Sequence, residues 1–293
     1  MIVTAHDPSY FIPLSEPPRS PGIESITFTP PTLDVSVPLP ELYDWQYRHS
    51  PDHPVFIFDN PSSSKPNDIC VYTWKTVVPV IHRTGRHILS LFNFTLPLDP
   101  EHTPVIAVLA AAGIRTPIWP KTSTYWQLVS PDTFTYLTVN LSVLRTGATL
   151  FPISPRNSAP AIAHLMETTG VTAILVGDEP SLKRLAAAAF DIIRNSGGSP
   201  PNVAQMPAFD DIFLTRSTTV IDTDEFIPPL GWRRQDRAGL IVHSSGPSRD
   251  YQICIRSTHG ELNAGSTEWP KPVYWSYHAL TLMAAFPREL PIF

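Results

Sequence analysis

Between residues 104 and 193 short unbroken apolar runs alternate with amphipathic stretches, and few folds accept that alternation. Pro104-Val-Ile-Ala-Val-Leu-Ala110 has no polar member, as suits a strand buried on both faces. Asp132–Arg145 reads as a helix, with Asp132 as its cap and Phe134, Leu137, Leu141 and Leu144 on one face. Gly147 stops it, and Ala148-Thr-Leu-Phe-Pro-Ile-Ser154 is the next strand. Asn157 or Ser158 then caps a helix that runs through Thr169. Gly170 ends that helix, Val171–Val176 is a third strand and Pro180–Ile193 a third helix. Strand and helix repeated in this order predict an α/β fold with a mainly parallel sheet covered on both faces. Ala238-Gly-Leu-Ile-Val-His243 is a further strand of the same kind. Neither a GxSxG elbow nor a GxGxxG fingerprint is present.

The flanks are less regular. Many of the 34 prolines lie before residue 55 or in irregular stretches, where a residue with fixed φ and no N–H does least harm. Residues 1–36 read as an irregular Pro-rich arm. Leu39-Pro-Glu-Leu-Tyr-Asp-Trp45 is a short amphipathic helix. Pro54–Asp59 and Ile69–Trp74 are two strands, joined as a hairpin by the polar turn 60–68. Thr76–Leu91 has mostly helical apolar spacing, with Pro79 in its first turn. Ser196–Asp211 is turn-rich.

Hydrophobic residues make up 42% of the chain and charged residues 16%, enough for a substantial core. A net charge of −5 argues against a nucleic-acid surface, which needs a clustered basic face. Cys70 and Cys254 are too few for a disulfide framework and read as reduced thiols of a cytoplasmic protein. No apolar run reaches the roughly 18–20 residues of a membrane span, and the first residues do not have the pattern of a signal peptide. His82, His87 and His102 lack metal-ligand spacing and read as solvated histidines, and no metal site is expected. Asp210-Asp211 and Asp222–Glu225 read as solvated loops. His243 reads as structural. It precedes Ser244 on a strand, where neighbours point to opposite faces, so the two are poorly placed as base and nucleophile.

The chemistry-bearing feature is split. His243-Ser-Ser-Gly246 and Ser266-Thr-Glu-Trp-Pro-Lys271 are two halves of one phosphate-binding loop, separated by about nineteen residues. Small residues let backbone N–H groups close on phosphate oxygens, hydroxyls add hydrogen bonds, and lysine supplies a compact positive charge. Joined, the halves resemble the (S/T)SG(S/T)TGxPK loop of the adenylate-forming (AMP-binding) superfamily, which includes acyl-CoA synthetases and proteins like nonribosomal peptide synthetases. Leu39-Pro-Glu-Leu-Tyr-Asp, Ser50-Pro-Asp-His-Pro-Val-Phe, Phe151-Pro-Ile-Ser-Pro-Arg-Asn-Ser158 and His164-Leu-Met-Glu-Thr-Thr-Gly170 extend the resemblance. It is greatest to fungal multidomain adenylating reductases. Residues 37–293 would then be a partial adenylation domain.

The resemblance implies an α/β body that uses ATP and Mg2+ to join a carboxylic acid to AMP. The acyl group passes to a thiol, CoA or the phosphopantetheine arm of a carrier domain, and a reductase domain follows in intact relatives. No nucleic-acid or membrane partner is implied. Ser244, Ser245, Gly246, Ser266 and Thr267 would cradle the phosphates, and Lys271 would offset charge on the leaving pyrophosphate as the catalytic lysine. His278, in Trp275-Ser-Tyr-His, matches a position lining the acyl pocket. Glu268 stands where the family usually carries glycine. Two stretches, 113–131 and 247–265, have no family counterpart and read as inserts, either in-frame introns or surface loops. A chain interrupted and truncated in this way is expected to be inactive alone. The competing expectation is a non-catalytic fragment or pseudo-enzyme that binds only a nucleotide or a partner.

Overall fold

The computed structural model describes residues 25–31, 37–59, 69–99, 101–111, 131–214, 226–230, 237–244 and 269–285. The two expected inserts, apart from Pro131, lie outside this set, as does all but 25–31 of the expected arm. In chain order the elements are α1 (Leu39–His49), β1 (Pro54–Asp59), β2 (Ile69–Thr73), α2 (Trp74–Leu91), β3 (Val105–Leu109), α3 (Pro131–Thr146) and β4 (Thr149–Ile153). Then come α4 (Ala159–Thr169), β5 (Ala173–Val176), α5 (Pro180–Asn195), β6 (Asn202–Gln205), β7 (Ala238–His243), β8 (Pro272–Ser276) and α6 (Tyr277–Ala285).

Strands β1 and β2 form the expected antiparallel hairpin. The main sheet has the order β6-β5-β3-β4-β7-β8. All neighbours pair in parallel except β7 and β8, which are antiparallel.

The pleat sends alternate residues of each strand to opposite faces, and the two cores follow from that. Ile106, Val108, Leu150 and Leu175 face α2 and α3, where Ile88, Leu89, Val139 and Val143 meet them. Ala107, Leu109, Phe151, Ile153 and Ile174 face α4 and α5, where Ile162, Leu165, Ala189 and Ile193 close the other side. A fully buried aliphatic side chain such as Ile106 contributes about 1.5–3 kcal/mol, so the central strands hold both layers together.

The helix boundaries have local causes. The Ser158 hydroxyl caps α4 by accepting from the Ala161 N–H at 3.4 Å, and Gly170 ends it at φ 66°. Gly147, at φ 83°, ends α3 as expected.

Three expectations are corrected. Helix α2 starts at Trp74, so Pro79 sits inside the helix rather than in its first turn. There it withholds one N–H from the helical ladder. In α3, Leu137 points to solvent, 41% exposed. The buried face carries Thr135, Thr138 and Ser142 beside Val139 and Val143, because the helix packs against both the sheet and α2. The Ser142 hydroxyl donates to the Thr138 carbonyl at 2.6 Å, whereas the buried Thr138 hydroxyl has no hydrogen-bond partner among the described residues. Last, the stretch 196–211, read as turn-rich, contains strand β6, an element the sequence did not mark. Its residues are mostly exposed, so no apolar run marked it, and pairing with β5 is what makes it a strand.

Candidate functional site

Connection α3 leaves β3 toward one face of the sheet, and α4 leaves the adjacent β4 toward the other. The connections that follow the paired carboxyl ends of β3 and β4 therefore diverge, the arrangement at which open α/β sheets receive ligands. A crevice of about 330 Å³ lies there, with Ala110, Tyr136, Ser154, Pro155, Val242 and His243 among its lining residues. Burial pushes the Tyr136 phenol above its ordinary 10.0, against a smaller opposing effect of the Asn140 side chain. It is therefore a neutral hydroxyl at neutral pH.

The split motif meets at this edge of the sheet. The Ser244 N–H donates to the Lys271 carbonyl at 3.0 Å, and the Lys271 N–H donates to Ser244 Oγ at 3.0 Å. This pair continues the β7–β8 ladder, in which His243 faces Pro272. Ser244 thus has its amide committed to the strand pair, while its hydroxyl proton remains to be donated. Lys271 is exposed. Trp269 lies against the His164 ring of α4, with centroids 5.5 Å apart.

His243 joins the two walls of the crevice. Its Nε2 accepts from the Ser154 N–H at 3.1 Å and lies 3.3 Å from the Asn157 amide nitrogen. Its Nδ1 is 3.1 Å from the Ser244 carbonyl. Ser244 Oγ is occupied by Lys271, not by the imidazole. Ser154 and Tyr136 of the crevice, and Asn157 beside His243, were not singled out from sequence as site residues. The signal that could have found them is the strand–helix order itself, which fixes where a switch point must fall.

Of the other expected site residues, Ser245, Gly246, Ser266 and Thr267 lie outside the described residues. His278 is exposed in the first turn of α6 and does not line the crevice. Its neighbour Tyr277 is buried, with its hydroxyl 3.2 and 3.0 Å from the Leu144 and Ala148 carbonyls.

His82 is not solvated, contrary to expectation. It is buried with Asp44 and Arg145, where α1, α2 and α3 meet. Its Nε2–H donates to Asp44 Oδ1 at 2.7 Å, and its Nδ1 accepts from the Ile227 N–H at 2.9 Å. The Arg145 guanidinium binds Asp44 Oδ2 at 2.7 and 3.0 Å and the Ile227 and Pro228 carbonyls at 2.6 and 3.0 Å. Burial acts to raise the Asp44 carboxyl, but the His82 hydrogen bond and the Arg145 charge outweigh it and hold the group below its ordinary value. Burial, aided by the Arg145 and Arg86 charges, keeps the His82 imidazole below its ordinary 6.5 despite Asp44. A neutral His82 matches its bonds, one donated and one accepted. Composition could not show this cluster, because its members come from three separate helices.

Among the described residues no three His, Cys, Asp or Glu side chains converge on a metal position. No described helix is long and apolar enough to cross a membrane.

No family model matches the chain. It is 29% identical over 281 residues to adenylate-forming reductase Nps10 of Heterobasidion annosum, a match covering 94% of this chain and 21% of that protein. The chain therefore spans only a small part of that relative's length. Among solved structures, a long-chain-fatty-acid-CoA ligase from Archaeoglobus fulgidus matches with a TM-score of 0.51 at 11% identity, over 85% of this chain and 38% of that one. A nonribosomal peptide synthetase, FmoA3, matches with a TM-score of 0.47 at 15% identity, over 86% of this chain and 18% of the other. The α/β body, a mostly parallel sheet flanked by helices, is a fold shared with the CoA ligase. The sequence likeness is thus to part of an adenylate-forming reductase, and the structural likeness is one of fold.

Proposed function

We propose that this chain carries the phosphate-binding part of an adenylate-forming domain, whose intact form activates a carboxylic acid with ATP and passes the acyl group to a thiol. The observation behind this reading is the Ser244–Lys271 pair at the carboxyl end of the parallel sheet, beside the switch-point crevice. It brings together two halves of a phosphate loop that stand 27 positions apart in sequence.

The donor set suits phosphate. The Ser244 hydroxyl donates to one phosphate oxygen, and the Lys271 ammonium offsets charge that builds on the pyrophosphate leaving group. Ser245, Gly246, Ser266 and Thr267 complete the cradle. Magnesium would accompany the ATP and offset charge on its phosphates. His278 belongs to the acyl side. In the intact protein the thiol is the phosphopantetheine arm of a carrier domain or CoA, and a reductase domain takes the product.

Taken alone, the chain binds nucleotide and adenylates little. Equilibrium binding of a fluorescent ATP analogue with magnesium tests the first statement, and absence of binding overturns the assignment. Acid-dependent exchange of pyrophosphate into ATP tests the second, and measurable exchange overturns the claim of inactivity. The distance in sequence between Ser244 and Lys271 favours a second reading, a module that binds nucleotide or a partner without catalysis. Nucleotide binding without exchange, persisting when the residues between the two halves are deleted, would select it.

A further inference from the structure

We propose that His243 is a positioning residue for the phosphate loop: a neutral imidazole, protonated at Nδ1, that ties the start of the loop to the turn after β4. The proposal deepens the phosphate-binding reading and rests on it for its functional consequence.

The tautomer follows from the partners. The Ser154 backbone N–H can only donate, and it points at Nε2 from 3.1 Å. Nε2 therefore carries a lone pair. The Asn157 amide nitrogen, 3.3 Å away, can also donate to it. In a neutral ring the proton is then on Nδ1, where the Ser244 carbonyl waits at 3.1 Å. The ring edge packs on Phe151, with centroids 6.2 Å apart and planes at 82°, and this limits its rotation.

The consequence is geometric. Strands β4 and β7 are joined by a single register pair, Leu150 with Leu240, far from their carboxyl ends. Past that pair, where Ile241 packs with Phe151 and Ile153, His243 adds hydrogen bonds that link Ser154 and Asn157 after β4 to Ser244 after β7. The Ser244 carbonyl is held by the imidazole, its N–H by the Lys271 carbonyl, and its Oγ accepts from the Lys271 N–H. Ser244, the residue from which the cradle departs, is thus tied through both its N–H and its carbonyl. A loop that works by fixed backbone geometry needs such an anchor.

The test uses the full 15N-labelled chain. Long-range proton–nitrogen correlation spectra report which imidazole nitrogen bears the proton, and the His243 signals are assigned by their loss in His243→Phe. The expected result is an Nδ1-protonated ring at neutral pH. An Nε2-protonated or doubly protonated ring overturns the proposal, whether or not the variant folds. Amide exchange supplies the second readout. His243→Phe should lose protection at Ser154 while Ile174 in β5 keeps it, and His243→Gln, whose side-chain oxygen can accept, should restore Ser154. Equal protection at Ser154 in all three chains overturns the clamp. Affinity for the ATP analogue should fall about tenfold in His243→Phe, the size of one net hydrogen bond, and stay within about twofold in His243→Gln. Unchanged affinity in His243→Phe overturns the positioning role. If the unaltered chain binds no nucleotide, the functional reading fails, and tautomer and exchange alone decide the clamp.

Discussion

Ser244 and Lys271 hold each other by two hydrogen bonds across the β7–β8 pair, each 3.0 Å long. One is backbone to backbone and the other ends on the serine hydroxyl. The strand pair therefore sets Ser244 beside Lys271, 27 positions away in the chain.

Lys271 contributes its backbone to that pair and keeps its ammonium exposed. Lys271→Ala should leave the melting temperature unchanged and weaken nucleotide binding about 10- to 100-fold, as expected for a hydrogen bond to a charged group worth roughly 1.5–3 kcal/mol. Titration with the fluorescent ATP analogue measures it. A Lys271→Ala chain that binds as tightly as the original removes Lys271 from the site.

Asp44 is the hub of the buried cluster, held by His82 and Arg145. Arg145→Met leaves its carboxylate buried beside a single neutral donor and should cost about 3–5 kcal/mol. Adding Asp44→Leu removes the stranded charge, so the double variant should recover part of that loss. Urea unfolding of the two chains gives the comparison. A double variant less stable than Arg145→Met would mean that the ions contribute more than their mutual compensation.

The same cluster gives stability a pH dependence. The folded state lowers the His82 pKa below 6.5 and the Asp44 pKa below 3.8. In both cases the unfolded chain binds protons first as pH falls, so stability is full above the unfolded pKa and declines below it. Unfolding free energy should be flat near pH 7.5 and drop on acidification through pH 6, with a second decline below pH 4. His82→Gln should abolish the first decline and keep the second. A first decline that survives the substitution assigns it to another group.

Gly239 tests the fit between β7 and α6. A Cβ there would stand 2.9 Å from two carbons of the Tyr277 ring, and that ring is tethered through its hydroxyl beside the Leu144 and Ala148 carbonyls. Gly239→Ala should cost about 1–3 kcal/mol, the usual range for overpacking a core. The second variant Gly239→Ala with Tyr277→Leu should cost less than the sum of the two single changes. Strict additivity in thermal unfolding would show that the ring does not crowd this position.

The strand–helix alternation from Pro104 to Asn195 was legible from periodicity and glycine stops, because each element's apolar spacing is a local property. Ser158, Gly147 and Gly170 marked ends for the same reason. Strand β6 was not legible, since exposed Asn202–Gln205 has no burial to advertise. Leu137 was misassigned because an apolar residue names a face only when a single face is buried. His82 was read as solvated because its partners, Asp44 and Ile227, stand 38 and 145 positions away in the chain.

Sequence alone therefore determined the class of fold and the residue types able to meet a phosphate, because chain chemistry and local periodicity carry both. Tertiary structure decided the order of the strands, the crevice between β3 and β4, the meeting of Ser244 with Lys271, and the burial of Asp44, His82 and Arg145. The physical reason is that hydrophobic pattern tells each segment which side to hide, not which neighbour will cover it. A hydrogen bond or ion pair between distant segments exists only once packing has excluded water from between them.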